Sequence, residues 1–275
     1  MLNRPGLEQL TTYNVQESDF AVRLDANEQP VNLPAVVRKE VLDRLATLAF
    51  NRYPEIGVTT LRRKIAAAMN LSVDSVLVGN GSSELLEVAC YAFGGQGRSI
   101  VFPAPSFSMY AIYAKLADSQ PVPVPLEEDF SLRAENVLAA ANEHKASLII
   151  LCNPNNPTGS VISDESIEAI VSQARCPVIV DEAYYEFYGH SALHLLAKYD
   201  NLIITRTFSK AYSMAAARVG YLMAAPKLAQ IVAKTVLPYP VNALSLICAE
   251  TVYERRKAFE PEIDQTIRER RRMAD

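Results

Sequence analysis

The 275 residues contain no CxxC pair, no net positive charge and no apolar run near membrane-spanning length. Each absence excludes something. A formal charge of −4 removes any general attraction to nucleic acid. The basic cluster "RERRRMAD" at 268–275, with Glu269 interleaved, reads as a solvated helix face rather than a nucleic-acid tail. The cysteines, at 90, 152, 176 and 248, are scattered through apolar surroundings. They read as small buried hydrophobes in a reducing compartment, not as disulfides or metal ligands. The opening "MLNRPGLEQL" lacks an apolar signal region. No membrane, no nucleic acid, no metal and a cytoplasmic location are expected. Repeats and low-complexity tracts are also missing.

What is present is an ordinary globular composition, 49% hydrophobic and 21% charged, with enough apolar material for a large core. After an irregular lead, a helix-like run over 34–48 and an amphipathic helix within "RYPEIGVTTLRRKIAAAM", strands and helices alternate. "SVLVG", "SIVFP", "SLIILC", "PVIVDEA", "NLIIT" and "RVGYLMAA" read as strands. They are short continuous apolar runs, as strands covered on both faces should be. "SSELLEVACYAF", "SFSMYAIYAKLA" and "SDESIEAIVSQA" read as helices, the last capped by Ser163. The pattern predicts an α/β fold, a mostly parallel sheet between helical layers. From about residue 242 a long helix-like pattern runs to the end, interrupted at Pro261.

Ligands of open α/β sheets sit at the carboxyl ends of the strands, and four unusual stretches fall there. "VGNGSSELL" turns a strand into a helix through Gly81, Ser82 and Ser83, whose N–H groups make an anion cradle; an ordinary tight turn would read the same way. "CNPNNPTGS" sets three Asn and two Pro at a strand end, a rigid polar turn or a ligand loop. In "VIVDEAYYEF", Asp181 closes an apolar strand, so it must be paired, by an internal Arg, a helix N-terminus or a cationic ligand atom. In "ITRTFSKAYSMAAARVGY", Lys210 follows a buried strand, where desolvation lowers its pKa and makes it a nucleophile towards carbonyls. A solvated or structural lysine is the plainer alternative for that residue alone. One ligand accounts for all four stretches: pyridoxal 5′-phosphate (PLP), with its phosphate, phenolic oxygen, ring nitrogen and aldehyde.

"NPNNPTG", "DEAYYEF" and "TFSKAYSMAAARVGY" resemble the signatures of the fold type I PLP-dependent aminotransferases. "LDANEQP", "RYPE" and "PYPVN" resemble the histidinol-phosphate aminotransferase subfamily within it. The resemblance implies that Lys210 joins the cofactor's aldehyde, Asp181 faces its ring nitrogen, and Asn156 with Tyr184 serves its phenolic oxygen. It places Phe107 against the ring, where many relatives have Tyr. Ser82, Ser83, Ser209 and Arg218 would hold the phosphate beside Gly81. Tyr53 would reach the cofactor of a neighbouring subunit, which implies a homodimer. Asn27 and Tyr13 would face the substrate, an amino donor exchanging with 2-oxoglutarate.

The resemblance also implies a division into an N-terminal arm and small-domain segment (1–48), a large PLP-binding domain (49–241) and a connecting helix (242–275). The family's C-terminal small domain is expected to be missing, so this chain should bind PLP yet transaminate poorly. Three alternatives stay open here. A threonine-phosphate decarboxylase-like PLP lyase has very similar motifs, another class I/II aminotransferase would act on aromatic or branched amino acids, and a non-catalytic PLP-binding module is the third, although no helix-turn-helix precedes the domain.

Overall fold

The computed structural model describes residues 10, 22 and 24–274. Seven strands form one sheet: β1 (Val76–Gly79), β2 (Ser99–Ala104), β3 (Gln120–Pro125), β4 (Ala146–Cys152), β5 (Val178–Asp181), β6 (Leu202–Thr207) and β7 (Gly220–Ala224). Their order is β1-β7-β6-β5-β4-β2-β3. The pairs β2–β3, β2–β4, β4–β5 and β5–β6 are parallel, while β7 runs antiparallel to both its neighbours.

The central strands are apolar on both faces because both faces are covered. Ile149, Leu151, Val178, Val180, Leu202 and Ile204 belong to one buried cluster, and Leu148, Ile150, Ile179 and Ile203 to the other. That is the period of two of a strand, split between two cores. The first cluster is completed by α2 (Thr59–Met69), α5 (Ala134–Glu143), α6 (Asp164–Gln173) and α9 (Ala243–Glu254). The second is completed by α3 (Gly81–Phe93), α4 (Met109–Leu116) and α8 (Pro226–Ala233). The N-terminal helix α1 (Ala35–Leu45) packs on α9. No helix among the described residues is long and apolar enough to cross a membrane.

Apart from short 3₁₀ turns, four elements fall outside the sequence reading: β3, α5, the four-residue α7 (Tyr185–Tyr188) and α8. β3, "QPVPVP", carries Pro at every second position and lies at the sheet edge. Only an edge strand tolerates this, because alternate N–H groups need no partner there, and the prolines also block pairing with another chain. The C-terminal pattern breaks earlier than expected. α9 ends at Glu254, a 3₁₀ turn spans Arg256–Phe259, and α10 covers Glu260–Ala274. Pro261 sits in the first turn of α10, where a missing N–H costs little.

The ends of β5 and β6 are clamped twice. Asp181 lies in register with Thr205, and the Thr205 hydroxyl donates to Asp181 Oδ1 at 3.0 Å. One residue further along each chain, Arg206 and Glu182 form a buried ion pair with Nη2 and Oε2 2.9 Å apart. Arg206 also donates to Ser191 Oγ at 2.7 Å and lies 3.6 Å from the centre of the Tyr185 ring. Glu182 accepts from the Ala192 N–H at 2.8 Å and from the Ser191 hydroxyl. Removing one partner of such a pair strands a charge in the core. Arg206→Met should therefore lower stability by about 3–5 kcal/mol, read as a reduced urea midpoint. Adding Glu182→Gln to that variant should recover part of the loss. A midpoint unchanged in Arg206→Met would show that the pair carries no net stabilisation.

Candidate active site

The carboxyl ends of β1, β4, β5 and β6 open onto one edge of the sheet. Because β7 is antiparallel, its first residue, Gly220, meets that same edge, in register with Gly79 on one side and Thr207 on the other. A cavity of about 280 Å³ lies there. Its walls include Asn27, Ser82, Ser83, Phe107, Asn156, Asp181, Tyr184, Ser209, Lys210 and Arg218. Ten of the residues singled out from sequence thus converge on one space. Gly81 sits just behind it, Tyr53 lies outside it, and Tyr13 falls outside the described residues.

At one end is an anion cradle. α3 begins at Gly81, so the first N–H groups of that helix, including those of Ser82 and Ser83, have no partner within it. Gly81 has φ +86°, and a Cβ there would come within 2.7 Å of Arg218 Nη2. A Cβ on Gly220 would collide with the Ser82 amide. Both positions need glycine to let strand, helix turn and guanidinium close on one another. Arg218 itself has φ +53°, an uncommon conformation for a residue with a side chain. Its Nη1 donates to Ser209 Oγ and to the Ala215 carbonyl, both at 3.2 Å, which fixes the fork. Helix N–H groups, the hydroxyls of Ser82, Ser83 and Ser209 and a guanidinium form the donor set that a phosphate requires.

At the floor, Asp181 is 3% exposed. Its Oδ2 accepts from the Tyr110 hydroxyl at 2.8 Å and its Oδ1 from Thr205. Neither donor is charged, and Asp181 makes no ion pair among the described residues. The internal arginine that could have served, Arg206, is committed to Glu182. Burial pushes the Asp181 carboxyl up to about 6, against the pull of its two hydroxyl donors. A dry carboxylate without a counter-charge suits a cationic ligand atom such as a protonated ring nitrogen.

Lys210 closes the other side. Its Nζ donates to the Ala26 carbonyl at 2.7 Å and lies 5.9 Å from the centre of the Tyr184 ring. Burial, and then Arg218, lower its pKa, with Glu28 opposing. That favours the neutral amine, which is both nucleophile and proton acceptor. The Tyr184 oxygen accepts from Asn27 Nδ2 at 3.0 Å, and burial raises the phenol above its usual range, so its own proton remains available to donate.

The three asparagines divide by hydrogen bonding. Asn153 binds the backbone of Ile162 through both amide atoms, and Asn155 binds Pro105, Ser106 and Thr158. Asn156 lines the cavity and has no side-chain partner among the described residues. Phe107 lies on the wall, its ring edge-on to Tyr110 at 5.5 Å. Tyr110, Thr205, Thr207 and Cys152 also belong to the site or its floor, and nothing in the sequence pattern singled them out.

An orphaned carboxylate, a spare amide, a depressed lysine and a cradle that one Cβ would fill together fit PLP. The architecture is that of the fold type I PLP-dependent transferases. Histidinol-phosphate aminotransferase from Sinorhizobium meliloti, solved in complex with pyridoxal-5′-phosphate, has this fold, with a TM-score of 0.89 at 23% identity over 99% of this chain and 76% of that one. Residues 21–275 match the aminotransferase class I and II family. Histidinol-phosphate aminotransferase from Caldanaerobacter subterraneus subsp. tengcongensis is 38% identical over 89% of this chain and 70% of its own. The Thermococcus gammatolerans enzyme of the same name is 38% identical over 95% and 75%. The chain belongs to the class I and II aminotransferases, a family of PLP-dependent enzymes that move an amino group from a donor to a keto acid.

The Asp181 shift has a pH signature in the protein without added ligand. Its folded-state pKa, about 6, lies above the ordinary 3.8, so folding favours the neutral acid. The cost of burying its charge is absent near pH 4, grows between pH 4 and 6, and is complete above that window. Asp181→Asn should then be more stable than the parent at pH 8 by up to about 3 kcal/mol, with the gap shrinking as pH falls towards 4.5. Urea midpoints at the two pH values measure this, and a gap that does not change with pH would show that the carboxyl is not desolvated.

Proposed function

We propose that this chain transfers the amino group of L-histidinol phosphate to 2-oxoglutarate, with PLP held by the cavity at the strand ends. The observation that carries the reading is the convergence of Lys210, Asp181 and the Ser82–Ser83–Ser209–Arg218 cradle on one space. The names of the relatives supply the substrate.

In this reading Arg218, the serine hydroxyls and the α3 N–H groups hold the cofactor's phosphate. Asp181 holds a proton on its ring nitrogen, because an adjacent negative charge favours the cationic form. Asn156 and Tyr184 donate to its phenolic oxygen, and Phe107 covers its ring. Bound there, PLP supplies an aldehyde that condenses with amines and a ring that delocalises the electron pair left by proton loss. The Lys210 amine, once released, takes a proton from the donor's α-carbon and returns it elsewhere, as general base and then acid. Asn27, fixed to Tyr184, borders both this cavity and a neighbouring cleft of about 460 Å³ that also reaches Arg270, and the cleft is roomy enough for the donor's side chain.

The reading extends to a homodimer. Tyr53 is 81% exposed and stacks on Tyr239 at 4.6 Å, with Phe50, Ile56 and Leu237 exposed in the same two loop regions. Apolar groups so displayed suit a second copy, which would bring Tyr53 to its neighbour's cofactor.

Lys210→Ala should abolish the visible absorbance that attachment through lysine gives PLP, and nearly all transamination, while the phosphate cradle still takes up cofactor. The assay is keto-acid formation from histidinol phosphate with 2-oxoglutarate. Release of carbon dioxide without a keto product would favour a decarboxylase instead. Retained absorbance in the variant would remove Lys210 from the chemistry.

A further inference from the structure

Tyr110 is fully buried in α4, one helical turn beyond Phe107. Its ring is edge-on to Phe107 and tilted against Phe102. Its hydroxyl lies 2.8 Å from Asp181 Oδ2, a bond across 71 residues of sequence. The bond has only one direction. Burial, followed by the Asp181 charge, holds the phenol well above its ordinary range, so Tyr110 keeps its proton and donates. Thr205 donates to the other oxygen, and the Ala183 N–H adds a weaker contribution. The other titratable groups that act on the carboxylate are Glu182, Cys152, Tyr113 and Tyr184, none of them cationic. Lys210 and Arg218 line the same cavity, but neither makes an ion pair with Asp181 among the described residues. The hydrogen bonds that set the charge state of Asp181 therefore come from neutral donors.

That matters once a ring nitrogen faces the carboxylate. In a dry cavity, a proton between a pyridine nitrogen and a carboxylate can reside on either. Each donor to the carboxylate makes it a weaker base and leaves the proton on the ring. We propose that Tyr110 is a positioning residue for the cofactor's ring proton, acting through Asp181: its hydroxyl keeps the carboxylate charged and the ring nitrogen protonated. The inference rests on the PLP reading of the cavity. It differs from a merely space-filling role for Tyr110, which phenylalanine would fulfil equally well.

The test uses PLP labelled with ¹⁵N at the ring, bound to the whole chain at pH 7.5, with the nitrogen chemical shift as readout. The parent should show a protonated ring. Tyr110→Phe should load cofactor but move the shift towards neutral pyridine, since losing one donor to a charged group changes the proton partition about tenfold or more. Thr205→Val, on a separate element, should move it the same way, which keeps the test decisive if either variant folds poorly. Tyr253→Phe is the control, because it removes a buried phenol that has no hydrogen-bond partner among the described residues and packs against Tyr221 rather than Asp181; its shift should equal the parent's. A parent-like shift in fully loaded Tyr110→Phe and Thr205→Val overturns the inference. A parent chain that takes up no PLP overturns the cavity's reading itself, a result easily told apart from the first.

Discussion

The site depends on keeping one carboxylate available for charge where water does not reach. Asp181 ends the central strand of the sheet, and two other elements are arranged around that fact. The cation nearest in sequence register, Arg206, points to the opposite side of the strand pair and is taken by Glu182. Had Arg206 faced Asp181, the carboxylate would be fully paired and unable to bind anything. The alternation of side chains along β5 and β6 separates the two carboxylates, giving one a structural partner and leaving the other for the cavity. A single-residue slip in register would exchange these roles, and the double clamp at the strand ends resists that slip.

The same edge is assembled from segments far apart in sequence because of one topological feature. Parallel strands deliver their carboxyl ends together, which explains Gly79, Cys152, Asp181 and Thr207. An arginine following Lys210 would ordinarily be carried away along the next crossover. Here the chain turns back at once into antiparallel β7, so Arg218 returns to the edge eight residues after Lys210. Ala211, Ser213 and the three alanines at 215–217 keep the return tight, and it requires glycine at 220, where the strand passes against the start of α3. Sequence, topology and anion cradle are linked at this point.

Much of this was legible in the sequence, for a physical reason. Lys210, Asp181, the Gly81–Ser83 turn and the Asn-Pro loop are each chemically costly at the end of an apolar strand, so each demands an explanation locally. β4, β5 and β6 were legible because each is built on a continuous apolar run, at 148–152, 178–180 and 202–204, as strands buried on both faces allow. β3 was not, because alternate prolines look like a loop until the edge position is known. Tyr110 and Thr205 were not, because an ordinary aromatic in a helix and an ordinary threonine in a strand acquire their role only through the docking of α4 and the β5–β6 register. The choice among three asparagines lies between these cases. The loop announced itself, but only the hydrogen bonds show that Asn153 and Asn155 are consumed by the fold while Asn156 is not.

The electrostatics of the cavity carry the last step. Burial shifts both its principal titratable groups towards neutrality, the Lys210 amine downwards and the Asp181 carboxyl upwards. The guanidinium of Arg218 pushes Lys210 further in the same direction. A ligand that is anionic at one end and cationic at the other reverses part of this. Its anion offsets the Arg218 charge, and its cation stabilises the Asp181 carboxylate. Below about pH 6, where the carboxyl still carries its proton, binding such a ligand is coupled to proton movement within the site, with the carboxyl giving up its proton as the ring gains one. The cavity is thus suited to a molecule with charges of opposite sign at opposite ends, which would set its cation against the floor at β5 and its anion in the cradle at the α3 N-terminus, with Lys210 on the wall of the same space.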